Sequence, residues 1–333
     1  MGLPVTVYRN TDAGAPQLTT NRKPSEIINI LNKCLVDGYG SKSPLGWTKE
    51  FEDGVNQKVV FRNSPNTGSG GFVRFASLGG SDAAATFMTI RAGMSMSDID
   101  TFFKETSYQR GITVSAFASL HWFLIGTSSA FYFMLSNSTY NLLAQSGYSL
   151  ERGCFVGDFK SYLPADQCTF IALADYVNGE QTSNASSATQ AFYGHFYGVY
   201  AITQQGDSSY QSKIYGADGS NSSMNYGVRL TCMCISNASY AQSLNNMGLY
   251  ASAHLAVSSQ GSPTTVVDIN GVNIRNSVIT PLVRGELPGL KVEIMQRYNN
   301  QSWPKIELID GKNHWLLRTA FYTAGVWINM EEW

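Results

Sequence analysis

Charged side chains are scarce in this chain of 333 residues. Lys and Arg number 23 and Asp and Glu number 24, so only 14% of the residues are charged and the formal net charge is −1. An average soluble chain carries about 25% charged residues. Proteins that neutralise nucleic-acid phosphates need an excess of Lys and Arg, which the chain as a whole does not have. We therefore expect no direct sequence-specific nucleic-acid binding, although charges distant in sequence leave a local patch open.

Long apolar runs are lacking as well. The N-terminus reads MGLPVTV, without the basic region and apolar stretch that mark a secretory signal peptide. The most apolar window, 119–135, contains His121 and the polar run 126–129, which argues against a membrane span. Two strands joined by a polar turn explain this window better, and we expect no membrane partner.

Cysteine usage argues against a disulfide framework, because the number is odd and the chain is long. The five cysteines are Cys34, Cys154, Cys168, Cys232 and Cys234. Their neighbours are mostly apolar, and buried reduced thiols are the ordinary state of such residues. Cys232 and Cys234 form a C-x-C pair rather than the C-x-x-C spacing of a typical zinc knuckle. We expect these two side chains on one face of a strand.

Motifs for catalysis or metal binding are missing too. The four histidines are His121, His195, His254 and His314. None is spaced for metal ligation with another, and neither an H-E-x-x-H nor a G-x-S-x-G motif occurs. His121 and His314 each precede Trp within an apolar strand, which favours a place in the core or an interface.

Two further candidates for chemistry have simpler explanations. Residues 38–43 superficially suggest a phosphate loop, but they lack the adjacent Gly-Lys and follow a helix rather than a strand. Asp158 ends a strand, where an aspartate more commonly forms a turn than acts in catalysis. The sequence therefore predicts no enzyme, with no catalytic, cofactor-binding or metal residues, no cofactor and no small-molecule substrate.

Neutral polar and aromatic side chains take the place of charge. The chain contains 18 Tyr and 17 Phe. Protein interfaces favour aromatic residues and are depleted of Lys, Glu and Asp. A soluble monomer ordinarily keeps a charged surface to stay dispersed. This composition predicts a protein whose surface is largely covered by neighbouring chains.

One helix is predicted, at about 25–36. Pro24 and Ser25 supply a start signal, and apolar residues recur at helical spacing between positions 27 and 35. Gly38 suits the left-handed conformation that ends a helix. A second, short helical turn is predicted to begin at Asp98 and its preceding serine.

Most of the rest favours short strands separated by Gly, Asn and Ser. The run 178–190 has almost nothing to bury and predicts a linker or a long surface loop, and 216–225 predicts an exposed loop. The expected fold is β-rich α+β, with mostly antiparallel strands, one clear N-terminal helix and two β-rich units. The expected domains are an N-terminal α+β domain at 1–178 and a C-terminal β-rich domain at 179–333.

Several short segments are more distinctive than the composition. Residues 7–18 read VYRNTDAGAPQL, 34–42 read CLVDGYGSK and 46–49 read GWTK; later come WFL at 122–124, FYF at 131–133, FVGDF at 155–159 and RGELPGL at 284–290. In this order they resemble a family of virion proteins encoded in the structural modules of tailed phages and prophages. The resemblance spans nearly the whole chain, apart from 104–117 and 206–246, and the N-terminal segment is its most specific part.

The resemblance implies a structural part of a phage particle, located in the virion. We expect a neck, collar or head–tail region protein that forms a symmetric homo-oligomer, with copies of itself and other phage structural proteins as partners. A tail, baseplate or whisker or fibre protein that contacts the host surface is the alternative. Decoration of the head also remains open.

The expected assembly contacts lie in the distinctive segments and at the C-terminus. They are Tyr8, Arg9, Asp12, Pro16, Tyr39, Trp47 and Trp333. For the N-terminal turn and Trp47 two interpretations stay open, since both features either reach a neighbour or pack on the chain's own core. We expect deletion through Leu18 to leave the fold largely intact and to weaken incorporation into particles.

Overall fold

The structure is a computed structural model, and the part of the chain that it describes is discontinuous. The described residues are 2–84, 86–113, 120–136, 151–174, 212–217, 223–229, 250–257, 265–267, 270, 273–275, 283–293, 305–318 and 326–333. They form a β-rich fold of antiparallel sheets with one α-helix, which confirms the predicted fold class.

Helix α1 runs from Pro24 to Asn32 and continues as a π-helical turn at Lys33–Asp37. Pro24 is tolerated at the first turn because its missing N–H has no helical partner there. The helix presents one apolar side to the core through buried residues, namely Ile27, Ile30, Leu31, Cys34 and Leu35. Gly38 ends the element with a φ of +79° and donates its N–H to the carbonyl of Lys33. The helix predicted at 25–36 is confirmed.

Twenty strands are described, and a short 3-10 turn follows β4 at Leu78–Gly80. The strands of the first half are β1 Thr6–Arg9, β2 Thr48–Asp53, β3 Lys58–Arg62, β4 Phe72–Ser77, β5 Phe87–Met96, β6 Phe102–Thr113, β7 Trp122–Gly126, β8 Ala130–Ser136, β9 Glu151–Asp158, β10 Lys160–Ser161 and β11 Phe170–Ala174. The strands of the second half are β12 Ser212–Tyr215, β13 Ser223–Arg229, β14 Tyr250–Val257, β15 Thr265–Val267, β16 Asn273–Arg275, β17 Val283–Glu293, β18 Ile306–Ile309, β19 Lys312–Arg318 and β20 Val326–Asn329.

A five-stranded antiparallel sheet lies at the centre, in the order β1-β7-β8-β9-β11. Both of its faces are buried, because alternate side chains of a strand point to opposite sides. In β8, Phe131 and Phe133 pack into one hydrophobic cluster, whereas Tyr132 and Met134 pack into another. Strands buried on both faces are apolar almost throughout, which explains the window 119–135. The prediction of two strands joined by a polar turn is confirmed.

A larger sheet of thirteen strands covers both faces of the central one. Its order is β18-β19-β20-β17-β14-β13-β12-β6-β5-β4-β3-β2, with β10 paired to β17 beside this path. One end of the sheet, together with α1, packs on one face through residues such as Phe61 and Phe75. The other end packs on the opposite face through Leu255, Trp315 and Ile328. Burial of each such side chain stabilises the fold by about 1.5–3 kcal/mol. Because both ends of the larger sheet are buried against the central sheet, the central sheet holds the early and late strands together.

The predicted boundary at 178–190 lies outside the described residues, so the division into two domains stays a prediction. Strands from the two sequence halves nevertheless pair directly. β6 pairs with β12 at Ser107 and Ile214, and β10 pairs with β17 at Lys160 and Glu286. Both pairings link strands that precede the predicted boundary to strands that follow it.

Two local predictions need correction. The residues around Asp98 form a bend between β5 and β6 rather than a helical turn. The Asp98 carboxylate accepts hydrogen bonds from the N–H groups of Asp100 and Thr101 at 2.9 and 3.0 Å, which closes the bend locally. Residues 223–225, predicted as part of an exposed loop at 216–225, belong to β13, which begins at Ser223 and pairs with β12.

Candidate functional site

The segment 7–18 meets the loop that follows the helix at a polar cluster, here named the Asp12 junction: Arg9, Asp12, Tyr39 and Lys42. One carboxylate oxygen of Asp12 accepts hydrogen bonds from the Arg9 N–H at 2.8 Å and from the Tyr39 hydroxyl at 3.0 Å. The Lys42 Nζ lies 3.9 Å from the same oxygen. Two of the distinctive segments are therefore joined to each other.

Backbone segments approach each other closely beside this junction. Gly40 has a φ of +54°, and a Cβ at that position would lie 2.2 Å from the carbonyl oxygen of Ala13. Only glycine fits both the conformation and the space. The Tyr8 hydroxyl donates to the carbonyl of Ser43 at 2.5 Å and ties β1 to the same loop. The small residues of these segments thus allow the backbone around Ala13 and the backbone around Gly40 to lie in contact.

The two tyrosine hydroxyls and the thiol in and beside this junction hold their protons at neutral pH. Burial raises the pKa of the Tyr8 hydroxyl well above its ordinary value of 10, and the neighbouring Cys34 raises it further. The pKa of Tyr39 is raised in the same way, by burial first and then by Cys34 and Asp12. Burial also raises the pKa of the Cys34 thiol. The arrangement fixes positions by hydrogen bonds and is poorly suited to general acid–base chemistry at pH 7.

Three of the seven expected assembly contacts are buried inside the chain itself. Tyr8, Tyr39 and Trp47 are 0%, 9% and 2% exposed. The Trp47 Nε1 donates to the carbonyl of Thr127 at 3.1 Å, and its ring packs edge-on against Phe131 with centroids 5.2 Å apart. A buried ring has no surface left for a neighbour, so these three residues pack on the chain's own core.

Two of the remaining contacts, Arg9 and Pro16, are partly exposed but already engaged within the chain. The Arg9 guanidinium lies 4.6 Å from the centre of the Trp315 ring, a cation–π contact between β1 and β19. The Pro16 carbonyl accepts a hydrogen bond from the Trp122 Nε1 at 3.0 Å. A third expected contact, Asp12, has a side chain that is 20% exposed and lies within the Asp12 junction.

The seventh expected contact, Trp333, closes the C-terminus onto the N-terminus. The Leu3 N–H donates to the Trp333 carbonyl at 2.7 Å, and the Trp333 N–H donates to the Leu3 carbonyl at 3.0 Å. The indole packs edge-on against Tyr132, with centroids 5.4 Å apart. It also lies over Gly289, where a Cβ would come within 2.1 Å of the indole nitrogen. The partly exposed ring therefore serves the chain's own packing.

The expectation that the arm through Leu18 is dispensable for folding is contradicted. β1 pairs with β7 along Thr6–Arg9 and forms one edge of the central sheet. Tyr8 and Leu18 are both buried in the larger hydrophobic cluster. Removing the arm would uncover the apolar side chains beneath it, so the deletion would test folding rather than assembly alone.

A second junction, which we name the Asp166 junction, consists of Ser161, Asp166, Cys168 and Arg284. The Arg284 Nε and Nη2 donate to the two carboxylate oxygens of Asp166 at 2.8 and 2.7 Å, a bidentate ion pair. The Ser161 hydroxyl and the Cys168 N–H donate to the same carboxylate at 2.8 and 2.9 Å. The side chains of Arg284 and Asp166 are 0% and 1% exposed. This buried network joins the segment after β9 to β17.

Burial alone would raise the pKa of the Asp166 carboxyl. The hydrogen bonds and positive charge of Arg284 outweigh that effect and hold the pKa below its ordinary value of 3.8. The carboxylate is therefore ionised and fully engaged, and it is not positioned to accept a proton from a bound molecule. Sequence reasoning did not identify this pair.

Asp158 lies at a third polar junction. Its carboxylate accepts hydrogen bonds from the Asn63 side-chain amide at 2.7 Å, the Ser69 N–H at 2.8 Å and the Thr169 hydroxyl at 3.0 Å. It joins the β3–β4 loop to the end of β9 and the start of β11. The predicted local role in a turn was too narrow, because two of these partners are about 90 residues away in sequence.

The histidines and cysteines occupy different surroundings. His314 is 1% exposed, and burial lowers its pKa below 6.5, whereas His121 is exposed and lies 3.4 Å from the Asn10 side chain. Three cysteines are buried thiols, namely Cys34, Cys154 and Cys168. Cys232 and Cys234 lie outside the described residues. Within the described ranges, no group of three or more His, Cys, Asp or Glu residues could hold a metal ion.

No helix in the described part of the chain is both long and apolar enough to cross a membrane.

No family model, curated protein or solved structure matches this chain.

Proposed function

We propose that this chain is a structural component of a tailed-bacteriophage virion, acting as one copy of a symmetric homo-oligomer in the neck, collar or head–tail region. The observation that carries the proposal is the use made of the distinctive segments. Their polar residues tie distant parts of the chain together, at the Asp12 junction, at Asp158 and at the Asp166 junction. A chain whose distant segments are held together by such polar contacts is suited to be a rigid part of a particle.

The composition adds independent support. A chain with 14% charged residues and many aromatic side chains is better suited to a covered surface than to free diffusion. The layered β-fold also has sheet edges, such as β18, through which neighbouring copies can be joined by backbone hydrogen bonds. A rigid β-rich subunit with sheet edges is well suited to repeated contacts around a common axis.

Localisation in the particle tests this proposal. A short epitope inserted in the β2–β3 turn beside Val55, which is 86% exposed, should leave the fold undisturbed. Particles from cells producing the tagged chain would be purified, quantified by mass spectrometry and labelled with gold-conjugated antibody. We expect a fixed copy number per particle and label at the head–tail junction.

Two outcomes would contradict the proposal in different ways. A chain that is produced in the cells but absent from purified particles is not a virion component. Label confined to the distal end of the tail would instead support a protein that contacts the host surface. An untagged particle serves as the control for labelling, and unchanged infectivity shows that the epitope does not disturb assembly.

A further inference from the structure

Strand β18 forms one edge of the larger sheet, and within the described residues no strand pairs with its outer side. Two large apolar side chains lie on it, Ile306 at 42% and Leu308 at 71% exposure. Both are on the face that carries Trp315, because Ile306 pairs with Trp315 and alternate residues share a face. The exposed pair therefore extends an apolar face to the sheet edge.

The backbone groups of the same two residues point away from β19. β18 and β19 are joined by the two-residue turn Asp310-Gly311, whose φ angles of 51° and 75° fit a type I′ hairpin. In such a hairpin the closing pair is hydrogen-bonded, and hydrogen-bonded pairs then alternate along the strands. The Leu316 N–H bonded to the Lys305 carbonyl at 2.9 Å agrees with this alternation. Ile306 and Leu308 thus direct their N–H and C=O groups outward.

The opposite edge of the sheet is built differently. In β2, with the sequence TKEFED, four of six residues are charged, and the pairing with β3 is interrupted by a register shift between Lys49 and Phe51. Charges and bulges are the usual means by which an edge strand avoids pairing with another chain. β18, with the sequence IELI, carries neither a bulge in its pairing nor charge on its exposed face.

We propose that the β18 edge binds the β18 edge of a second copy of this chain, as an antiparallel pair about a two-fold axis. Residues whose backbone N–H and C=O groups point outward must pair with residues of the same kind. Ile306 of each copy therefore lies opposite Leu308 of the other. The two copies then place four apolar side chains side by side on one face. Equivalent edges satisfy each other's backbone groups without any further segment.

The other face of this pair supports a second copy by its charges. Glu307, which accepts a hydrogen bond from the Tyr250 hydroxyl at 3.2 Å, comes opposite the Glu307 of the other copy at the centre of the interface, where the two like charges alone would repel. Each carboxylate is bracketed by Lys305, whose Nζ is 3.7 Å from Glu307 within a chain and which lies diagonally across from the other Glu307. The four charges sum to zero, so one sequence complements itself in this register.

The contact is small, so it should be weak in isolation and strengthened when many copies assemble. The inference rests in part on the proposed function, since it assigns a surface to the self-association assumed there. It can also be tested independently of the virion role, because dimer formation is measured on the isolated protein in solution.

Cross-linking tests the register directly. In the proposed pair the two Glu307 Cα atoms are about 4.5 Å apart, within the range of about 4.4–6.8 Å that a disulfide spans. We expect the Glu307→Cys variant to form a covalent dimer under mild oxidation. Val55→Cys, on an exposed turn at the opposite end of the sheet order, is the matched control and should form no covalent dimer, and neither should the parent chain. Equal cross-linking in all three would overturn the proposal.

Sedimentation measures the contact without a cysteine. We expect the parent protein to show a concentration-dependent monomer–dimer equilibrium, and Leu308→Lys to weaken it by about 30-fold or more because two ammonium groups enter an apolar contact. Val55→Lys should leave it unchanged. A parent protein that is monomeric throughout, or that forms open polymers, would overturn the proposal.

Failure of this inference and failure of the proposed function are distinguishable. If the Leu308→Lys variant keeps the parent's dimerisation yet enters particles poorly, the edge binds a different virion chain and self-pairing is wrong. If the parent dimerises through this edge but is absent from particles, self-pairing stands and the virion role is wrong.

Discussion

Two carboxylates in this molecule have similar tasks in different surroundings. Asp12 and Asp166 each join segments distant in sequence, and each accepts hydrogen bonds from both a backbone N–H and a hydroxyl group. The Asp12 side chain is 20% exposed and its cation, Lys42, is 3.9 Å away. The Asp166 side chain is 1% exposed and its cation, Arg284, makes a bidentate contact.

We expect burial, rather than the number of partners, to determine how much each junction contributes to the free energy of unfolding. Water can replace a lost partner at Asp12, and solvent screens the distant ammonium group. At Asp166 no water can enter without opening the core, so removing one partner leaves an uncompensated charge in a medium of low polarity. The two junctions should therefore respond differently to substitutions of the same kind.

The largest effect is expected for Arg284→Met. The substitution keeps most of the side-chain volume but leaves the Asp166 carboxylate buried without its cation. Breaking a buried pair in this way costs about 3–5 kcal/mol of the free energy of unfolding. Urea-induced unfolding, followed by tryptophan fluorescence, measures the loss.

Two variants control for this result. The double variant Arg284→Met with Asp166→Leu removes both charges and should recover most of the stability, because no unpaired charge remains. Lys49→Met breaks a surface pair with Glu52, whose side chains are 33% and 49% exposed, and should cost under about 1 kcal/mol. An Arg284→Met loss as small as that of Lys49→Met would show that the buried pair contributes little.

The same pair predicts a pH dependence with a definite sign. The pKa of Asp166 in the folded protein is below its ordinary value of 3.8, so its stabilising contribution is present above about pH 4 and is lost as the pH falls through the folded value. In Arg284→Met the buried carboxyl lacks its cation, so its pKa should rise and acid should favour its neutral form. We expect the difference in unfolding free energy between the parent and the variant to narrow on acidification. A constant difference from pH 6 to pH 3, on the order of the first effect, would contradict this.

Local patterns in the sequence predicted the helix, the β7–β8 hairpin and the β-rich class correctly, because each depends on residues close together in the chain. Apolar spacing around Ile27 determines which side of the helix is buried, and the polar turn at 126–129 separates two apolar strands. These features do not depend on which strands become neighbours.

The junctions depend on contacts between distant residues and were not predictable in the same way. Nothing near Asp166 indicates that Arg284, 118 residues later, will reach it. A usable signal did exist, since an arginine inside a strand such as β17 needs a counter-ion if it is buried. The same limit applies to Trp47, whose place in the core follows from its contact with Phe131 across the fold.

Asp158→Ala should give an intermediate effect and so extend the comparison. The substitution leaves Asn63, Ser69 and Thr169 without their acceptor, and unsatisfied donors of this kind cost about 1–3 kcal/mol in all when water reaches some of them. Hydrogen exchange gives a local readout, because the Ser69 amide should lose protection. Asp53→Ala is the matched control, since Asp53 also accepts three hydrogen bonds but lies at the end of β2 and bonds only to the adjacent turn, two and three residues away. A larger loss for the control would contradict the role of burial.

The smallest effect is expected for Asp12→Asn. The asparagine keeps the shape and one acceptor oxygen, which can still accept from both the Tyr39 hydroxyl and the Arg9 N–H, so the variant loses mainly the negative charge that faces Lys42. The expected loss is about 1 kcal/mol. Tyr39→Phe removes a single donor while keeping the ring against Tyr8, whose centroid is 5.8 Å away, and should cost no more. The double variant measures the coupling between them, which should be small because the junction is open to water. If Asp12→Asn instead destabilises the protein as much as Arg284→Met, burial does not explain the difference between the two junctions.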